Sequence, residues 1–156
     1  MDAAAPPGIA GTLLEAHVRA NRKRWLMQGS AVLILVVEDD RAAGEDLKHE
    51  LEEAGFRVML LESGEKATLA FDENAGEIGG LIADVKLGGN VNGWDVARHA
   101  REVNQDLPVV YITGFYVEDW ASQGVPKSIL VQKPFAPAQV ITAISSLLNV
   151  SSNSAG

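Results

Sequence analysis

The chain has 156 residues, 47% hydrophobic and 22% charged, enough for one domain with a real core and a short extension. It carries no cysteine, which excludes disulfide frameworks and thiolate metal sites. Its net charge of −8 is uneven: Asp2 and Glu15 against Arg19, Arg22, Lys23 and Arg24 leave residues 1–30 at +2 and the rest at −10. An acidic body repels a phosphate backbone, so nonspecific nucleic-acid binding is disfavoured.

Residues 1–11 are Ala, Pro and Gly with few large apolar side chains, and read as disordered. Residues 12–27 form either a helix or more tail. Thr12 and Glu15 stand in capping-box positions, with Leu13, Leu14, Val18 and Trp25 loosely on one side. As a helix this segment could serve a partner or dimerisation. Met27 just before the first strand is an alternative start. The longest apolar run, residues 31–37, falls far short of a membrane span, and no signal-peptide core opens the chain. A cytoplasmic location is expected.

From residue 31 the pattern alternates strictly. Residues 32–37 are a β-branched and Leu run suited to a strand buried on both faces. A helix follows over 41–54, with Ala43, Leu47, Leu51 and Ala54 at helical spacing and Gly55 closing it. A strand over 57–61 and a helix over 64–74 come next. A short strand over 80–84 ends on Asp84. A helix over 94–103 turns Val96, Ala97, Ala100 and Val103 inward. Then come a strand over 108–112, a poorly specified helix over 117–123 and a strand over 128–131. The last helix, 137–148, has Pro137 in its first turn and Val140, Ile141, Ile144, Leu147 and Leu148 as its stripe. Five strand–helix repeats predict an α/β fold: a doubly wound five-stranded parallel sheet with right-handed crossovers. Residues 150–156 read as a C-terminal tail.

Ligands of such sheets bind beyond the carboxyl ends of the strands. Those ends carry Glu38, Asp39 and Asp40 after the first strand and Asp84 after the third. Thr113 and Gly114 follow the fourth strand, and Gln132, Lys133 and Pro134 the fifth. Taken singly, each has an ordinary explanation as turn, helix cap or surface charge. Together they bring carboxylates, a hydroxyl and an ammonium to one rim. Clustered carboxylates repel one another, and a divalent cation relieves this. Oxygen donors without His or Cys favour Mg²⁺, Mn²⁺ or Ca²⁺. Such an ion, with Lys133 and Thr113, suits a phosphoryl group, and Asp84 would be the nucleophile forming an acyl phosphate. Lys133–Pro134 suggests a constrained turn with a cis bond.

The segments VLILVVEDD, IADVKLGG, VVYITG and VQKPF resemble the four signatures of bacterial response-regulator receiver domains, over about residues 31–149. Their order agrees, with 45 residues from Asp39 to Asp84, 29 on to Thr113 and 20 on to Lys133. The resemblance implies a flavodoxin-like (βα)5 receiver fold. It implies Asp84 as phospho-acceptor, with Mg²⁺ held by Asp84, Asp39, Glu38 (through water) and the Lys86 carbonyl. Thr113 becomes the switch hydroxyl and Lys133 the conserved-type lysine, with Asp40 a supporting acid. The implied donor is a phosphohistidine on a sensor histidine kinase or a histidine phosphotransfer protein, with small phosphodonors sometimes sufficing. LGGNVNGWDVA and PVVYITGFY resemble a single-domain alphaproteobacterial subgroup with an aromatic-rich motif after the fourth strand, which implicates Phe115 and Tyr116 in the switch.

Two positions depart from the family pattern. Leu130 stands where an aromatic switch residue is usual, and Lys86 stands where a small or polar residue is common. An aspartyl phosphatase would place a second acid at the position of Lys86, so a turnover enzyme is disfavoured. An interaction module that is never phosphorylated would have lost one of the primary groups, and none is lost. With only seven residues after Asn149 and no DNA-binding module, output is expected through contact with an unidentified downstream protein, phosphate relay or phosphate buffering, with a homodimer as a further candidate partner. Trp94 and Trp120 read as packing residues, and His49 and His99 as helical residues away from the rim.

Overall fold

The computed structural model describes residues 31–155. The possible helix over 12–27 and its cap at Thr12 lie outside the described residues. β1 (Leu33–Val37), β2 (Arg57–Leu61), β3 (Ile78–Asp84), β4 (Val109–Thr113) and β5 (Ile129–Gln132) form one parallel sheet in the order β2-β1-β3-β4-β5. Between and after them run α1 (Arg41–Glu53), α2 (Gly64–Asn74), α3 (Gly93–Val103), a 3-10 turn over Val117–Asp119 leading into α4 (Trp120–Gln123), and α5 (Pro137–Ala155). The doubly wound α/β expectation holds.

The β1 run is buried along its whole length because alternate side chains feed two cores. Leu33, Leu35 and Val37 pack with Phe71 of α2 and Trp94, Ala97 and Ala100 of α3. Ile34 and Val36 pack with Leu47 and Leu51 of α1 and Val140 and Ile144 of α5. At roughly 25 cal/mol per Å², two sandwiched faces supply the main drive to fold.

Several boundaries shift. β3 begins two residues before the expected Gly80 because Ile78 pairs with Leu33 across a register irregularity. Val103, expected inward, is 54% exposed as the last residue of α3. Ala43 and Ala54 are exposed too, and Gly44 takes the inward place beside Leu60. α5 continues seven residues past 148, so most of the expected tail is helical. No Gly or Pro interrupts it before Gly156, and Ser and Asn cost little in a helix.

Two buried details fix the site end of the sheet. The Tyr111 hydroxyl accepts the Val125 N–H at 3.0 Å, while its ring meets Trp94 edge-on at 4.6 Å. Tyr111→Phe strands that N–H and is expected to destabilise the fold by roughly 1–3 kcal/mol, read by urea denaturation. A methyl group on Gly93 would lie 2.3 Å from the Asp84 carbonyl oxygen and 2.8 Å from Val85 Cα. Glycine-to-alanine usually strengthens a helix. Here the collision is with backbone, and Gly93→Ala is expected to lower stability by roughly 1–3 kcal/mol. Unchanged or raised stability in the same denaturation assay would contradict this reading of α3 packing.

Candidate functional site

The strand order reverses between β1 and β3, which opens a crevice beyond their carboxyl ends. Glu38 and Asp39 leave the end of β1, and Asp84 is the last residue of β3. A cleft of about 330 Å³ sits there, framed by these acids with Lys86, Phe115 and Lys133. Glu38 and Asp84 are buried, at 6% and 5% exposure, and Asp39 is exposed. One carboxylate oxygen from each lies within 4.8 Å of the others, close enough to hold one cation. This donor set consists of hard oxygens, so it fits Mg²⁺ better than zinc.

Lys133 closes the opposite side. Its Nζ donates to Asp84 Oδ2 at 2.7 Å and lies 3.6 Å from Glu38 Oε1. Burial opposes the charge on Lys133, yet the Asp84 hydrogen bond and charge, then Glu38, outweigh it and raise its pKa. Glu38 is pushed up to about 7: burial raises it, the Asp40 N–H pulls it back, and the charge of Asp84 raises it further. One lysine does not neutralise these acids, so a divalent ion would relieve the remaining repulsion.

The loop after β3 is tied to the same carboxylates. The Lys86 N–H donates to Asp84 Oδ1 at 3.3 Å, and the Gly88 N–H donates to Asp39 Oδ2 at 3.2 Å. The Lys86 ammonium turns away to the Phe115 ring, 5.9 Å from its centroid, and so bridges two loops at the cleft mouth. Lys133–Pro134 is cis, as the turn suggested, and the Lys133 N–H bonds to the Thr113 carbonyl at 2.8 Å.

Not every candidate converges. Asp40 borders the cleft, but its carboxylate is taken up by the Ala43 N–H, which it accepts as the N-cap of α1. Thr113 is buried at the end of β4, but its hydroxyl oxygen serves its own turn. It accepts the Phe115 and Tyr116 N–H groups at 3.2 and 3.0 Å. Phe115 itself is 82% exposed. Leu130 is half-buried against the Trp94–Tyr111 core. Trp94 is core, while Trp120 is partly exposed and donates to Ser128 Oγ. His99 binds Asp72 at 2.7 Å between α3 and α2, and His49 is exposed on α1, both away from the cleft. Sequence reading missed Gly88 and Glu65, the latter accepting the Asn90 N–H at 3.0 Å. The Gly88–Gly89 pair hinted at close backbone approach; nothing in the sequence flagged a residue 25 positions upstream.

Comparison with known proteins places these residues in context. The family model for the response regulator receiver domain matches residues 34–145. The transcriptional regulatory protein CusR of Escherichia coli K12 is 33% identical over 118 residues, covering 74% of this chain and 50% of CusR. The response regulator MprA of Mycobacterium sp. strain KMS is 30% identical over 127 residues, covering 80% of this chain and 54% of MprA. The chain thus spans about half the length of these curated relatives. Among solved structures, a response regulator receiver protein from Sinorhizobium medicae WSM419 superposes with a TM-score of 0.75. It is 43% identical, covering 78% of this chain and 97% of that one. The receiver domain of the sensor histidine kinase PA1611 of Pseudomonas aeruginosa PAO1, which holds a magnesium ion in its active-site cleft, shares the fold at 19% identity and a TM-score of 0.65. There the coverage is 76% of this chain and 98% of that one. Among the described residues, no helix is long and apolar enough to cross a membrane.

Proposed function

The chain belongs to the response regulator receiver domain family of two-component signalling, and from that premise we propose that Asp84 is its phosphoryl acceptor. One observation carries the reading. The buried Asp84 carboxylate lies between two further carboxylates able to share a cation and a lysine 2.7 Å from its Oδ2. That sets the nucleophile between Lys133 and the place where a bound cation would supply a second positive charge.

Glu38, Asp39, Asp84 and the Lys86 carbonyl would hold Mg²⁺. When bound, the ion neutralises phosphoryl oxygens and orients them. The donor is a phosphohistidine on a sensor kinase or phosphotransfer protein. A carboxylate oxygen of Asp84 attacks phosphorus and an O–P bond forms. The N–P bond breaks, and its electron pair returns to the imidazole. Lys133 Nζ already sits on Asp84 and can shift to a phosphoryl oxygen with little motion. The protein catalyses its own phosphotransfer and dephosphorylation and turns over no separate substrate.

Thr113 couples this event to the surface. Its hydroxyl holds the turn that carries Phe115 and Tyr116. Drawing that hydroxyl toward a phosphoryl oxygen releases two backbone N–H groups and frees the turn to move. Phe115 is exposed and Leu130 takes the usual aromatic place, so the Phe115–Tyr116 turn carries the change. Output passes to a downstream protein, a phosphorelay or a second copy.

The test is intact-mass spectrometry after incubation with Mg²⁺ and acetyl phosphate, and separately with a phosphorylated histidine kinase. One labile phosphoryl group, lost with EDTA, is expected. A protein that binds Mg²⁺ yet accepts phosphate from neither donor would instead be an unphosphorylated interaction module.

A further inference from the structure

The loop between β3 and α3 is held at both ends, and only one end belongs to the acidic cleft. On the cleft side the Lys86 N–H rests on Asp84 and the Gly88 N–H on Asp39. On the far side Glu65, in the first turn of α2, accepts the Asn90 N–H at 3.0 Å. Gly89 lies between these ties at φ +91°, a left-handed conformation that favours glycine. A methyl group on it would come within 3.1 Å of both Glu65 carboxylate oxygens. The neighbouring Gly64 has no room either: a methyl there would lie 2.3 Å from the Val91 carbonyl oxygen. The N-terminus of α2 and the loop are therefore in direct contact, with the Glu65 carboxylate laid along the loop backbone. The Asn90 N–H is also the first cause holding the Glu65 carboxyl below the usual range.

We propose that Glu65 is a positioning residue for the metal site, holding the β3–α3 loop so that Lys86 and Gly88 meet the carboxylates of Asp84 and Asp39. The inference rests on the Mg²⁺ reading of the cleft. Glu65 touches neither metal nor phosphoryl group in this scheme and acts through Asn90. Such outer contacts commonly tune metal affinity by about 10- to 100-fold. An exposed carboxylate on a single amide belongs at the low end of that range.

Two variants separate position from charge. Glu65→Gln removes the charge and its favourable place at a helix N-terminus but keeps an oxygen for the Asn90 N–H. Glu65→Ala removes both. Mg²⁺ is titrated into the wild type and each variant by two-dimensional NMR, with amide exchange of Gly88 and Asn90 measured in the metal-free proteins. Glu65→Ala is expected to raise the Mg²⁺ dissociation constant about tenfold and to speed exchange at both amides. Glu65→Gln is expected to stay within about twofold of wild type in both readouts. Equal weakening in the two variants would make Glu65 a simple source of negative charge and overturn the proposal. So would a wild-type affinity in Glu65→Ala. If wild type itself fails to bind Mg²⁺, the cleft reading falls and the proposal falls with it, whereas a failure confined to the variant comparison leaves the Asp84 reading standing.

Discussion

Asp84→Asn is expected to gain no phosphoryl group from acetyl phosphate or from a phosphorylated kinase, under conditions where the wild type gains one. The loss should be complete, because an amide oxygen is neither anionic nor nucleophilic enough to attack phosphorus. The substitution is nearly isosteric, and its carbonyl oxygen can still accept the Lys133 ammonium that now sits 2.7 Å from Oδ2. It also removes one charge from a buried cluster, where the Asp84 charge adds to the burial that raises the Glu38 carboxyl. Asp84→Asn should therefore remain folded by circular dichroism while silent in intact-mass spectrometry. A phosphoryl group that persists on Asp84→Asn would move the acceptor to another residue, with Asp39 the nearest exposed carboxylate.

Lys133→Ala is expected to separate metal binding from phosphoryl transfer. Removing an ammonium aimed at developing charge commonly costs about 10²–10³ in rate, and the acetyl phosphate reaction should slow by roughly the lower of these. Mg²⁺ affinity should change in the opposite direction. Lys133 now offsets Asp84 and Glu38, and without it the cleft is more negative and should bind the ion several-fold more tightly. Stability without metal should fall by roughly 1–2 kcal/mol, a figure kept small because the Lys133 side chain is 37% exposed. Added Mg²⁺ should restore it. Calorimetric titration and denaturation with and without Mg²⁺ read the two effects. Weaker Mg²⁺ binding in Lys133→Ala would mean that the lysine organises the carboxylates rather than competing with the ion.

The legible part of this protein is the part written in local pattern. A β1 run with no polar residue must be buried on both faces, which requires helices on both sides and, with alternating elements, a parallel sheet. Since all five strands of such a sheet point the same way, the residues at their carboxyl ends must share one rim. Glu38, Asp39, Asp84, Thr113 and Lys133 could therefore be gathered from the sequence without coordinates. Motif order and spacing then narrowed the chemistry.

Other features depend on contacts between distant segments and left no local mark. Val103 continues the apolar period of α3, yet it is exposed where the helix ends. Asp40 reads as a supporting acid beside the site, and only the folded start of α1 brings the Ala43 N–H to its carboxylate. The Thr113 hydroxyl lies at the expected strand end and bonds to its own turn, a choice settled by side-chain rotation. Glu65 looks like any acid in a first helical turn until the β3–α3 loop is folded onto it. By itself the sequence determined the layers of the fold and which residues reach the rim, because burial period and chain direction are local properties. Only the tertiary structure decided which of those residues engage one another and which atoms remain free, because a hydrogen bond depends on orientation to within a few tenths of an ångström, and packing between distant segments sets it.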